Sequence, residues 1–118
     1  MVEPRLQVQD SLGHRRLVVI DRHPFTVGRK STCDLHLTDT DVSRDHAEID
    51  QVDGRFIVRD RGSRFGTFLN GEQITERPLQ HGDIIRLGRT GGADLLFLVS
   101  DDPVDSSSGG SSIVDGFR

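Results

Sequence analysis

Short runs of alternating apolar and polar residues fill most of the chain, a pattern typical of β-strands with one buried face. Glycine-containing turns separate the runs, and two of them, Asp53-Gly54 and Asn70-Gly71, are favoured sequences for two-residue hairpins. The pattern predicts an all-β fold, an antiparallel β-sandwich of about ten to eleven short strands. The strands are expected at residues 5–9, 16–20, 25–29, 34–37, 47–52, 55–60, 67–69, 72–74, 84–87 and 94–99.

The composition of the chain changes close to residue 100. The 118 residues suffice for one domain with its own core, and we expect that domain at residues 1–100. Residues 101–118 are rich in Ser, Gly and Asp and contain too few apolar side chains to fold. They are predicted to form a flexible, disordered tail or linker.

Charge and apolar content exclude several classes of function. The net charge of −4 does not supply the basic field that non-specific nucleic-acid binding requires. The longest apolar run, residues 95–99, is far shorter than the roughly 18 residues of a membrane span. Cys33 is the single cysteine, so no internal disulfide can form, and a reducing compartment is favoured. We therefore expect a cytoplasmic protein that binds neither nucleic acid nor membrane.

Positive charge is concentrated where predicted strands begin or end. Arg29 closes one strand, Ser43 and Arg44 precede another, and Ser63 and Arg64 precede a third. Arginine offers a planar fork of donors to phosphate oxygens, and a hydroxyl adds a further donor. Three arginines and two hydroxyls on three loops therefore predict a site for a small anion, without cofactor or metal.

Each of these residues also has an ordinary structural interpretation. Arg29 could pair with Asp60 or Asp41, and Ser43 could cap the turn that follows Asp41. Ser43 and His46 suggest part of a catalytic triad, but no nucleophile elbow surrounds them, so we expect no enzyme.

Cys33 and His36 have the spacing of half a metal site. No second Cys/His pair follows them, and a metal site is therefore not expected.

The order of the motifs resembles the forkhead-associated (FHA) domain family. Five short motifs occur in register, and the resemblance covers about residues 17–99. They are Gly28-Arg29, Ser43-Arg44-Asp45-His46, Ser63-Arg64-Phe65-Gly66-Thr67, Asn70-Gly71 and Gly82-Asp83. The resemblance implies an FHA/SMAD-like β-sandwich that binds phosphothreonine peptides through loops at one end. It further implies a signalling role, in a monomer or as part of a larger multidomain signalling protein.

The resemblance assigns ligand contacts to four side chains. Arg29 would contact the phosphate directly, and Ser43 would donate its hydroxyl proton to it. Arg44 would form a wall of the pocket, and Arg64 would lie at the far side of the phosphate.

Four further residues are implied to support the site structurally. His46 would hold the loop by hydrogen bonds, and Gly28 and Gly66 would serve the backbone geometry. Asn70, in the second hairpin, belongs to the same supporting set.

Phe65 departs from the family pattern, which has an asparagine that grips the peptide backbone. A phenyl ring cannot make the hydrogen bonds of an amide, but it can pack against an apolar side chain next to the phosphothreonine. Phe65 is therefore expected in the peptide-binding site, with an apolar preference. The same departure leaves an alternative function open, a phosphate-independent protein-interaction module of the same fold.

Overall fold

Two β-sheets contain all the strands of the computed structural model, which describes residues 3–99. No helix occurs in this range, and the predicted all-β sandwich is confirmed. The strands are β1 (Arg5–Gln9), β2 (Arg15–Val19), β3 (Phe25–Gly28), β4 (Leu35–His36), β5 (Ala47–Val52), β6 (Arg55–Asp60), β7 (Thr67–Leu69), β8 (Glu72–Ile74), β9 (Glu76–Pro78), β10 (Ile84–Leu87) and β11 (Ala93–Leu98).

The order of strands is β2-β1-β11-β10-β7-β8 in one sheet and β4-β3-β5-β6-β9 in the other. Neighbouring strands are antiparallel with one exception, the pair β3 and β4, which is parallel and places Val27 opposite Leu35. The sandwich is antiparallel as predicted, and this two-residue pair is a local exception that the sequence pattern did not indicate. Residues 29–34 lead the chain back to the level of Val27, so that β4 runs in the same direction as β3.

The alternating apolar residues of both sheets meet in a single core between them. Phe56 and Phe97 come from opposite sheets, and their ring centroids lie 5.5 Å apart in a tilted arrangement. Burial of these side chains stabilises the sandwich and leaves the loops free to form a binding surface. The largest of the fully buried apolar side chains are Phe25, Phe97, Leu6, Leu35, Ile49, Ile85, Leu87, Leu95, Val8, Val27 and Val42.

Both predicted two-residue hairpins are present. Asp53 and Gly54 have φ angles of 52° and 77°, and Asn70 and Gly71 have 50° and 88°. Positive φ at both central residues is the requirement of a type I′ turn, which aspartate, asparagine and glycine tolerate best. The first hairpin fixes the register of β5 and β6, so the loops that precede β5 and follow β6 emerge side by side.

Strand β9 was not predicted. It has only three residues, all of them exposed, and it ends at Pro78. A short polar run that ends in proline does not indicate a strand in the sequence. Proline is nevertheless tolerated at a sheet edge, and β9 is the edge strand beside β6. The tail predicted at residues 101–118 lies outside the described residues, so the division of the chain near residue 100 stays a prediction.

The described part of the chain, residues 3–99, contains no helix that is long and apolar enough to cross a membrane.

Replacing Phe97 with alanine tests the importance of the inter-sheet core. Phe97 is fully buried, so the variant loses apolar burial and gains a residual cavity. We expect the free energy of unfolding of the domain to fall by about 3–5 kcal/mol. Leu17→Ala is the control, because Leu17 is 54% exposed on edge strand β2. This substitution should lower the free energy of unfolding by less than about 0.5 kcal/mol. Urea unfolding measures both, and equal costs would contradict this core.

Candidate functional site

The end of β3 and the loop before β5 lie in direct backbone contact. The Arg29 N–H donates to the Ser43 carbonyl at 3.0 Å, and the Lys30 N–H donates to the Arg44 carbonyl at 3.2 Å. A Cβ atom on Gly28 would lie 2.1 Å from the Arg44 carbonyl oxygen, a distance that only glycine avoids. Gly28 therefore permits the close approach that brings Arg29, Ser43 and Arg44 together.

His46 joins the same loop to the loop between β6 and β7. Its ring is fully buried, Nδ1 accepts from the Ser43 N–H at 2.9 Å, and Nε2 lies 2.9 Å from the Gly66 carbonyl oxygen. A backbone N–H can only donate, so Nδ1 is the acceptor and Nε2 carries the proton. Burial lowers the pKa of His46, against the opposing effects of the Gly66 carbonyl and the Asp60 charge. The buried ring is therefore a neutral bridge between two loops.

The hydroxyl of Ser43 is held in place by the neighbouring loop. Its Oγ accepts from the Arg64 N–H at 2.9 Å. A serine hydroxyl has one proton to donate as well as lone pairs to accept, so this contact leaves the Ser43 proton available. Ser43 is half-buried, which gives a ligand access to that proton.

Asp60 shapes the loop between β6 and β7, a role that was not predicted. Its carboxylate accepts from the N–H groups of Gly62 and Ser63 at 3.0 and 3.1 Å, and from the hydroxyls of Ser63 and Thr67. Burial would raise the pKa of Asp60, but these hydrogen bonds outweigh it and hold the pKa below its usual range. The sequence signal was a polar turn starting at aspartate, in which the carboxylate bonds the backbone two residues later.

Asp41 has a second role that was not predicted, beyond the possible ion pair with Arg29. Its carboxylate instead accepts from the N–H groups of Arg89 and Gly91, each at 3.2 Å. The Asp41 N–H also donates to the Gly91 carbonyl at 2.9 Å. These contacts bring the loop between β10 and β11 to the predicted site.

Arg29 makes neither of the ion pairs considered for it. Its Nε donates to the Val42 carbonyl at 2.5 Å, which orients the guanidinium and leaves its terminal nitrogens available. Arg44 is exposed, and within residues 3–99 no carboxylate pairs with Arg29, Arg44 or Arg64. An open cavity lies between the two loops, lined by Arg29, Lys30, Ser31, Thr32 and Arg44.

Phe65 lies at the same end of the sandwich and is half-buried. The guanidinium carbon of Arg64 is 5.4 Å from the centroid of its ring, and that of Arg89 is 5.3 Å away. Both distances are within the range of cation–π interactions. The aromatic ring is therefore associated with two positive charges, one of them from a residue that was not predicted.

Asn70 lies at the opposite end of β7 from Gly66, about 13 Å away at 3.3 Å per residue. Its amide nitrogen donates to Asp83 at 3.1 Å, and its amide oxygen accepts from the Ile84 N–H at 3.0 Å. Asn70 thus secures the second hairpin against the start of β10. Gly66, with a φ of 96°, belongs directly to the loop bonded by His46.

The catalytic and metal alternatives have no geometric support. Both ring nitrogens of His46 are used by backbone groups, so the ring is not placed to take a proton from the Ser43 hydroxyl. The buried Cys33 thiol contacts the Arg44 carbonyl at 3.5 Å, and burial followed by the Asp45 charge raises its pKa. No group of three or more ligating side chains in residues 3–99 has the spacing of a metal site.

The loops therefore present an anchored Ser43 hydroxyl to solvent, together with several guanidinium groups that have no carboxylate partner among residues 3–99. Arg29, Ser43 and Arg44 belong to two loops bonded to each other, and Arg64 is bonded to Ser43. Charge-assisted hydrogen bonds from such donors favour an anion with several acceptor oxygens.

Comparison with known proteins agrees with this chemistry. The sequence model of the FHA domain matches residues 25–88. The oxoglutarate dehydrogenase inhibitor of Corynebacterium diphtheriae is 41% identical over 71 residues, which cover 60% of this chain and 50% of that protein. The glycogen accumulation regulator GarA of Mycolicibacterium smegmatis is 36% identical over 90 residues, which cover 76% of this chain and 55% of that protein. The chain thus spans about half the length of these curated relatives.

Solved FHA domains have the same fold. The FhaA FHA domain, complexed with the intracellular domain of Rv3910, matches with a TM-score of 0.69 and 31% identity over 80% of this chain and 98% of that one. A second structure, from a structural and functional study of phosphothreonine-dependent FHA domain interactions, matches with a TM-score of 0.70 and 30% identity. It covers 86% of this chain and 99% of the other.

The neutral bridge formed by His46 predicts a loss of stability in mild acid. Because the pKa of His46 is lowered on folding, the unfolded chain takes up a proton first as the pH falls below about 6.5. The contribution of His46 to the free energy of unfolding should therefore be constant above that pH and decrease below it, towards the lower pKa of the folded state. Urea unfolding at a series of pH values measures the decrease.

His46→Gln is the matched control, since an amide does not titrate. The variant should be less stable but should lose most of the dependence between about pH 6.5 and pH 5. The NMR titration of the His46 ring in the wild type tests the same point without a variant. A folded-state pKa at or above about 6.5 would contradict the assignment.

Proposed function

The chain belongs to the FHA domain family, and from this we propose that it is a phosphothreonine-dependent protein-binding module. In this proposal the loops at one end of the sandwich bind the phosphothreonine of a partner protein. The side chains assigned to the ligand are Arg29, Ser43, Arg44, Arg64 and Phe65, and the structural support is assigned to Gly28, His46, Gly66 and Asn70.

The observation that carries the proposal is the position of the Ser43 hydroxyl. Its oxygen accepts the Arg64 N–H, and its backbone N–H is held by the buried His46 ring. The remaining hydroxyl proton has no other assigned role, and a phosphate oxygen is a suitable acceptor. Since the loop is already ordered by these contacts, little conformational entropy is lost when a ligand binds.

Arg29 supplies the complementary charge. A phosphothreonine carries about −1.5 to −2 charges at pH 7 and three acceptor oxygens. The bond from Nε to the Val42 carbonyl keeps the guanidinium of Arg29 in one orientation, with its terminal nitrogens available. Arg44 lines the same cavity and would form its second positive wall. The nearby Lys30 is already paired with Asp45 at 3.1 Å, so it contributes less.

A phosphate-independent interaction module is the second candidate. The observation in its favour is Phe65, which replaces the peptide-gripping asparagine of the family and is half-buried beside the site. Titration with matched phosphorylated and unphosphorylated peptides separates the two functions. Equal binding of both peptides would favour the second candidate.

The wider role proposed here is regulatory and not enzymatic. Two relatives are named an inhibitor of oxoglutarate dehydrogenase and a regulator of glycogen accumulation. By analogy, this module would act by binding a partner protein, either as a monomer or within a larger multidomain signalling protein. Residues 1–100 would form the module and 101–118 a flexible linker or tail. The single cysteine supports a cytoplasmic location.

Arg29→Ala tests the phosphate contact. Hydrogen bonds to charged groups contribute roughly 1.5–3 kcal/mol, so we expect the affinity for a phosphothreonine peptide to fall at least about tenfold. Arg55→Ala is the matched control, because Arg55 is exposed at the far end of the β5–β6 hairpin and should leave binding unchanged. Calorimetry measures both, and equal affinity of Arg29→Ala and wild type would reject the role of Arg29.

Ser43→Ala tests the hydroxyl donor. The substitution removes the donor to the phosphate and the acceptor of the Arg64 N–H, so binding should weaken by about tenfold or more. Ser11→Ala, at an exposed position in the turn between β1 and β2, is the control. Thermal unfolding of each variant checks that the domain remains folded. A folded Ser43→Ala domain with wild-type affinity would argue against the assigned donor.

A further inference from the structure

Arg64, Phe65 and Arg89 form a cluster beside the proposed phosphate site. The two guanidinium carbons lie 5.4 and 5.3 Å from the centroid of the Phe65 ring. Phe65 is half-buried, whereas both arginines are exposed. The surface that this cluster offers to a ligand is therefore cationic, and the ring serves mainly to position the two charges.

The cluster is fixed to the loop that carries Ser43. The Arg64 N–H donates to the Ser43 hydroxyl oxygen at 2.9 Å. The Arg89 N–H donates to Asp41, two residues before Ser43, at 3.2 Å. Both arginine backbones are thus anchored next to the proposed phosphate donor. A peptide whose phosphothreonine occupied that site would have its flanking residues within reach of the cluster.

The charges of the cluster are not neutralised within the protein. Arg59, Arg61, Arg77 and Arg86 each form an ion pair with a carboxylate. Among residues 3–99, neither Arg64 nor Arg89 has such a partner, and the nearby Asp41 carboxylate is bonded to backbone N–H groups. Two like charges held over one ring repel each other, and an anion placed between or beside them would relieve the repulsion.

We propose that the Arg64–Phe65–Arg89 cluster binds a second anionic group on the ligand, a carboxylate or a second phosphate near the phosphothreonine. The inference rests on the proposed function, and it makes the preferred ligand an acidic phosphopeptide. Carboxylates and phosphates both accept paired hydrogen bonds from a guanidinium. This preference replaces the apolar preference expected from Phe65 alone, because the two guanidinium groups lie over its ring.

A phosphothreonine peptide with neutral flanking residues is the reference probe. A single aspartate, phosphoserine or leucine is then moved through each flanking position, and calorimetry measures each affinity. Exposed ion pairs contribute up to about 1 kcal/mol, so aspartate at the matching position should tighten binding by about threefold to fivefold. Leucine should have no such effect. Comparison of aspartate with phosphoserine at that position identifies which anion the cluster prefers.

Arg89→Gln separates the cluster from the phosphate site. The variant should lose the gain from aspartate and keep the wild-type affinity for the neutral phosphopeptide. Arg55→Gln is the matched control, since it removes the same charge about 17 Å along the β5–β6 hairpin from the site. This variant should keep both the gain from aspartate and the wild-type affinity for the neutral phosphopeptide. Raising the salt concentration should reduce the gain from aspartate in the wild type.

The outcomes distinguish the role of the cluster from the proposed function. Phosphate-dependent binding without any gain from an acidic flanking residue would overturn the role of the cluster and leave the proposed function standing. The same holds if Arg89→Gln retains the full gain. If the wild type binds phosphorylated and unphosphorylated peptides equally, the proposed function and this inference fall together.

Discussion

The site depends on one buried imidazole. His46 accepts a hydrogen bond from the Ser43 N–H and donates one to the Gly66 carbonyl, and so connects two loops that are 20 residues apart in sequence. The ring is completely buried, so each backbone group that it satisfies would be costly to leave without a partner. The relative position of the two loops is therefore fixed by hydrogen bonds inside the folded core.

The remaining loop contacts extend this order outwards. Asp60 stabilises the turn after β6 by accepting hydrogen bonds from backbone N–H groups within it. Asp41 accepts hydrogen bonds from backbone N–H groups of the loop after β10 and so holds that loop against the one before β5. The hydrogen bonds that Asp60 accepts stabilise its charged form, so this carboxylate shapes its loop without a cation as partner. The acidic residues are therefore used within the scaffold, and several arginines remain available to a ligand.

Phe65 illustrates how a single departure from a family pattern can change the chemistry of a surface. An asparagine at this position would present an amide to a peptide backbone, whereas the phenyl ring associates with two guanidinium groups. Stacking on a ring restricts flexible arginine side chains, which lowers the entropy that binding would otherwise cost. The substitution thus exchanges a neutral hydrogen-bonding group for positioned positive charge.

Local pattern in the sequence determined most of the strands, both type I′ hairpins and the order of motifs, because alternation and turn chemistry act over a few residues. The positions of Arg29, Ser43, Arg44 and Arg64 at strand ends were readable for the same reason. Only the tertiary structure decided the parallel pairing of β4, the edge strand β9, and the roles of Asp41, Asp60 and Arg89. Asp41 and Arg89 are 48 residues apart, and no local pattern records a contact that exists only after two sheets have packed together.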